Sequence, residues 1–219
     1  MTQEEIEKKI LLEVSEALPD FTYQKSTRLF VRNFNLGQHA FHIGLIKQSN
    51  NQTKMAAKIK VFINEIDEIY MPYYPNFSPA DKWHYSTIGG NADVLIRNNW
   101  LIHGFDKNYK VLEQFTEEYI AAIKTDFMPW FERNSDIDHI YKVLSDNTHP
   151  DYTPAAFHQE SLVRLAILLS QRKWDEYNQV EAKLLTYLNK RYGKQFASKV
   201  APVVQGLRTK IEKIKVRDL

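Results

Sequence analysis

The chain reads as an α+β protein: an antiparallel sheet of about four or five strands flanked by helices, with a C-terminal helical part. Three observations predict this. Apolar residues alternate with period two through three consecutive segments between Leu29 and Ile63, and short polar turns join them. Helical spacing of apolar residues fills the stretches before and after. The strands also come in one run, not interleaved with helices, which argues against a doubly wound parallel sheet.

The elements follow in order. Thr2 and Glu5 form a capping-box signature, and Ile6, Ile10, Val14 and Leu18 recur at helical spacing until Pro19 stops the run. Leu29 to Phe34 alternates as a strand. Asn35 to Gln38 supplies a turn, and His39 to Lys47 is the next strand, with Phe41, Ile43 and Leu45 on one face. After the polar run Gln48 to Thr53, Met55 to Ile63 completes an antiparallel meander. Met71 to Trp83 is a proline-stiffened aromatic loop. His84 to Ile88 and Asp93 to Asn98 read as two strand pieces either side of Gly89-Gly90-Asn91.

Helices follow. Asp106 is the N-cap candidate for a stripe of Leu112, Phe115, Tyr119, Ile123 and Phe127, and Pro129 bends or ends that helix. Ser135 precedes a shorter one with Ile137, Ile140, Tyr141 and Leu144. Three more are expected, approximately at Gln159 to Gln171, Trp174 to Arg191 and Lys194 to Lys215, with Gly193 as a stop. His149 to Pro154 is the clearest linker. It divides an α+β domain, 1–147, from a helical region, 155–219; one continuous domain fits the same pattern.

Composition narrows the function classes. The chain has 219 residues, and 29 Lys and Arg nearly balance 27 Asp and Glu, so the overall field does not argue for nucleic acid. No cysteine is present, which removes disulfides, thiolate nucleophiles, iron–sulfur clusters and Cys-type zinc sites together. Neither a signal-peptide pattern nor a membrane-spanning apolar run appears. These features fit a cytoplasmic protein with no membrane role.

The candidate chemistry is sparse. Gly89-Gly90 matches neither a P-loop nor a dinucleotide fingerprint, and reads as a turn or bulge. His39 and His42 sit three apart on a strand, so they point to opposite faces; His84 with Asp93 is the runner-up site, for a small-molecule binder or hydrolase. The acids Glu65, Asp67, Glu68, Glu117 and Glu118 read as solvated charges. No nucleophile motif occurs, so the chain leans away from enzymes, and no catalytic residue, metal or cofactor is assigned. The basic excess from Lys190 to Arg217 offers nucleic-acid binding as a second alternative, without a reading motif. The leading candidate is a partner-binding surface on Tyr70, Tyr73, Tyr74, Phe77 and Trp83, because aromatics on a stiff segment bind at low entropic cost.

Three stretches carry a resemblance: FTYQKSTRLFVRN (Phe21 to Asn33), FHIGLIKQS (Phe41 to Ser49) and FMPWFERNSDIDHIYKVL (Phe127 to Leu144). Phe30 to Arg32, Gln48 to Ser49 and Pro129 to Arg133 are similar to positions of the uncharacterised bacterial family called domain of unknown function 4304. The resemblance spans approximately residues 5–145, and the Gly-Gly region departs from it. It implies a helix-flanked antiparallel sheet in a bacterial cytosolic protein, and no activity. The expectation is therefore a non-enzymatic module for an unidentified protein partner, of the kind that immunity proteins represent.

Overall fold

The computed structural model describes residues 2–47, 53–73, 86–92, 109–152 and 157–217. They form an α+β fold with a five-stranded antiparallel sheet and helices that lie mostly in the C-terminal half. The chain divides into two compact units: residues 1–62 with 88–136, and residues 63–87 with 137–219. This division does not run at the His149 to Pro154 linker, because the helix at Asn64–Tyr70 packs with helices that come later in the chain.

The first unit begins with α1 (Gln3–Ala17). Its capping box is complete: Thr2 Oγ1 accepts from the Glu5 N–H, and the Glu5 carboxylate accepts from the Thr2 N–H. Ile6, Ile10, Val14 and Leu18 are all buried, so the periodicity marks the core face. The sheet runs in chain order, β1 (Thr22–Gln24), β2 (Leu29–Phe34), β3 (Gly37–Lys47), β4 (Thr53–Ile63) and β5 (Ile88–Asn91). Phe34 pairs with Gly37 across the tight β2–β3 turn, which places Arg32 directly opposite His39. The core under this sheet is aromatic. Phe41 stacks on Phe30 at 4.8 Å and meets Phe21 edge-on at 5.1 Å.

Gly89 and Gly90 do not form the expected turn. They lie inside β5, paired with Lys60 and Ile59 of β4. Gly89 is required by space: a Cβ there would meet the Ile59 carbonyl oxygen at 2.5 Å.

α3 (Tyr109–Ala122) passes through one π-helical segment, Ile123–Phe127, into α4 (Met128–Arg133). The Met128 N–H bonds back to the Ile123 carbonyl, and Pro129, which has no N–H, follows at once. The helix is thus re-registered at the proline and does not end there.

The second unit holds α2 (Asn64–Tyr70) with a 3₁₀ turn at Met71–Tyr73, then α5 (Ile137–Ser145), α6 (Phe157–Ser170) and α7 (Trp174–Arg217). Glu65, Asp67 and Glu68, expected at a strand end, lie on α2. Asp67 is buried: its Oδ1 accepts from Thr87 Oγ1 at 2.8 Å, and Thr87 Oγ1 accepts in turn from the Ile63 N–H at 2.7 Å. That relay ties the start of α2 to the segment before β5.

α7 is helical throughout, yet it is not straight. Arg208 Nε and Nη2 both donate to the Glu181 carboxylate at 2.8 Å, although the two residues are 27 apart in sequence. A straight helix would separate them by about 40 Å. The helical chain therefore doubles back between them, in the interval that contains the predicted stop at Gly193. Tyr177, Val180, Leu184 and Leu188 are buried on one arm, and Val200, Val203, Val204 and Leu207 on the other.

Candidate functional sites

Three places gather polar chemistry. The first is closed. His39 is 2% exposed and lies between the rings of Phe34, at 4.3 Å, and Phe131, at 4.8 Å. Arg32 Nη2 donates to its Nδ1 at 2.9 Å, and its Nε2 meets Ser135 Oγ at 2.7 Å. Ser135 spends its own hydroxyl proton on the Phe131 carbonyl at 2.7 Å. It must therefore accept from His39, which fixes the imidazole as the neutral Nε2–H form. Burial first, and the Arg32 charge second, hold its pKa down at about 4. Every polar atom of this ring is engaged within the protein. His42 is half-buried, and its pKa is also lowered, by burial and then by Lys58, Arg28 and Lys60. Burial, with Lys58 beside it, brings the Lys60 amine down to about 8.

The second place is a cleft of about 430 Å³ in the helical unit. Ile69 of α2, Leu169 of α6 and Ile214 of α7 form its apolar wall, while Arg172, Lys210 and Lys213 place cations around it against the carboxylate of Glu65. Lys210 donates to the Glu68 carbonyl at 3.2 Å, and its ammonium lies 5.7 Å from the centre of the Tyr73 ring. Burial pushes its pKa down, and Glu68 works the other way.

Arg172 is unusual. It sits in the left-handed region, with φ 57°, at the end of α6. The Lys173 N–H returns to the Leu168 carbonyl at 2.9 Å and the Arg172 N–H to the Leu169 carbonyl at 3.2 Å. This is a Schellman cap, whose left-handed position is normally glycine. An arginine there carries about 1 kcal/mol of strain.

The third place joins α5 to the turn that follows it. His139 Nε2 lies 3.1 Å from Asp151 Oδ2, and the His139 and His149 rings meet edge to face at 5.2 Å. One ligand atom from each of His139, His149 and Asp151 lies within 4.8 Å of the others. The turn is held by Asp146, whose Oδ1 accepts from both the N–H and the hydroxyl of Thr148, at 2.9 and 2.7 Å. Those bonds hold the Asp146 carboxyl below its ordinary pKa. The Asp151 N–H bonds to His149 Nδ1 at 3.2 Å. Among the described residues, this is the one cluster of three such side chains able to hold a metal ion.

The sequence-derived candidates fall as follows. Tyr70 is fully buried, and its hydroxyl reaches the Ser86 carbonyl, so its ring serves packing in the helical unit. Tyr73 is half-buried, and its ring occupies the space a side chain at Gly206 would need. Tyr74, Phe77, Trp83, His84 and Asp93 lie outside the described residues, as does Asp106. Glu117 and Glu118 are exposed, as expected. The basic run of α7 is not uniformly solvated, since Arg208 is paired with the buried Glu181.

Sequence reasoning missed the histidine–aspartate cluster. The available signal was H-x-D at His149 and Asp151, inside a stretch read only as a linker, with His139 one short helix upstream. Among the described residues no helix is long and apolar enough to cross a membrane. Comparison with protein-family models, curated proteins and solved structures finds no match.

Proposed function

We propose that the protein is a non-enzymatic binding module that engages an acidic protein segment through the cleft of its helical unit. The observation that carries this reading is the cleft's make-up: an apolar wall of Ile69, Leu169 and Ile214 beside Arg172, Lys210 and Lys213. An acidic amphipathic segment would match both the greasy wall and the charge. Lys210 is already partly desolvated, so an incoming carboxylate meets a cation that gains from being paired.

Arg172 adds support. A strained arginine at a cap position that glycine would fill more comfortably is the kind of outlier that function retains. Tyr73, one of the aromatic candidates read from the sequence, lies next to Lys210. The resemblance at Phe21 to Ser49 and Phe127 to Leu144 supports an immunity-like role, with occlusion of the partner as its mechanism, in a bacterial cytoplasm.

The test pairs binding with stability. A photo-crosslinker is placed at Lys213, and capture from a lysate of the source organism is compared with that by a Lys210→Glu bait. One species should be captured, lost with Lys210→Glu and weakened by salt. Capture of the same set by both baits would sink the reading. Separately, Arg172→Gly should raise unfolding stability by about 1 kcal/mol through relief of the left-handed strain, and yet weaken that capture.

A further inference from the structure

We propose that His139, His149 and Asp151 form a binding site for a divalent transition cation of the zinc class. The donor set comes first. Two imidazole nitrogens and one carboxylate oxygen suit zinc and its neighbours; magnesium and calcium take oxygen ligands and would leave both rings unused.

The geometry comes next. Ligand atoms about 2.0–2.1 Å from a tetrahedral ion lie about 3.3 Å from one another. His139 Nε2 and Asp151 Oδ2 already stand at 3.1 Å. The set spans at most 4.8 Å, so His149 has to close by no more than about 1.5 Å to complete three-point coordination. That adjustment is within the reach of side-chain rotation. Coordination costs His149 at most the long 3.2 Å contact from the Asp151 N–H.

Burial supplies the affinity. The Asp151 side chain is 6% exposed, and a carboxylate taken that far out of water gains strongly from a divalent ion. His139 and His149 are only half-buried, so a fourth position faces outward for water or another ligand. The turn is pre-organised as well. Asp146 holds Thr148, the His149 N–H bonds to the Asp146 carbonyl, and the Tyr152 N–H bonds to the His149 carbonyl. Little ordering is left to be done when the ion arrives.

This inference is independent of the cleft reading, because the two sites share no residue. It is tested on the full, tag-free chain with Zn²⁺ alone, by calorimetric titration and thermal melting. Co²⁺ serves as a spectroscopic reporter, through its tetrahedral absorption. Wild type should bind one equivalent, and Zn²⁺ should raise its melting temperature. His149→Ala should lose more than the roughly 10–100-fold that removal of an outer-shell partner costs, and Zn²⁺ should no longer shift its melt. Asp151→Asn should do the same. Should that buried substitution fail to fold, the half-exposed His149→Ala decides alone. His42→Ala, elsewhere in the chain, should leave binding unchanged. No measurable Zn²⁺ binding by wild type, or equal binding by His149→Ala, overturns the proposal.

Discussion

The chain uses histidine in two opposite ways. His39, in the sheet unit, is sealed between two aromatic rings with both nitrogens committed, one to Arg32 and one to Ser135. His139 and His149, in the helical unit, are half-buried and converge with a buried carboxylate. A cation stands beside the first and an anion beside the second pair. An arginine partner makes an imidazole a neutral structural hub and bars metal from it; an aspartate partner leaves it fit to meet a positive charge. The neighbour, more than the residue type, decides what the histidine can do.

The largest break in this contrast would come from Phe131→Ala. Phe131 is fully buried, stacks on His39 and supplies the carbonyl that anchors Ser135. Losing the ring should destabilise the sheet unit by about 3–5 kcal/mol, read by denaturant unfolding. An effect under about 1 kcal/mol would mean that the cage around His39 is not built as described.

Acid sharpens the contrast next. The folded pKa of His39, about 4, lies below its ordinary value of 6.5, so between these values the unfolded chain takes up the proton first. The stability that neutral His39 contributes is therefore complete above pH 6.5. It drains away as pH falls toward 4, by on the order of 2–3 kcal/mol. His42 shifts in the same direction, so the comparison must be with His39→Phe. That variant should lose the His39 share of the slope in this window, and an unchanged slope would assign it elsewhere.

The smallest expected effect lies at the open pair. In metal-free buffer, His149→Ala should change stability by no more than about 0.5 kcal/mol, since the half-exposed ring accepts one long hydrogen bond and otherwise meets the edge-to-face ring of His139. A loss of about 2 kcal/mol would make His149 a structural residue like His39 and dissolve the distinction.

The two regions were also unequally legible from sequence. The sheet unit announces itself through local rules: the capping box at Thr2 and Glu5, alternation from Leu29 to Ile63, and the tight turn before Gly37. Local rules fail where an element is too short to repeat, as with β1 (Thr22–Gln24), or where it starts directly from a strand, as with α2 after Ile63. Gly89-Gly90 misleads because glycine has two uses, and close backbone approach leaves no mark different from a turn. His139 and Asp151 are twelve residues apart, and only the turn pinned by Asp146 brings them together. Neither spacing nor periodicity encodes that meeting. The reversal of α7 is a middle case: Gly193 hinted at it, and the Glu181–Arg208 pair required it.

The way the units are threaded has a consequence for synthesis. Each is assembled from two separated lengths of chain, so no single cut separates one from the other. α2 leaves the ribosome early, but α6, against which it packs, begins only at Phe157. At about 5–20 residues per second, the apolar face of α2, with Ile66 and Tyr70, waits roughly 4–17 s for its partner. During that interval the nascent chain carries an unfinished helical unit while the sheet unit is being completed.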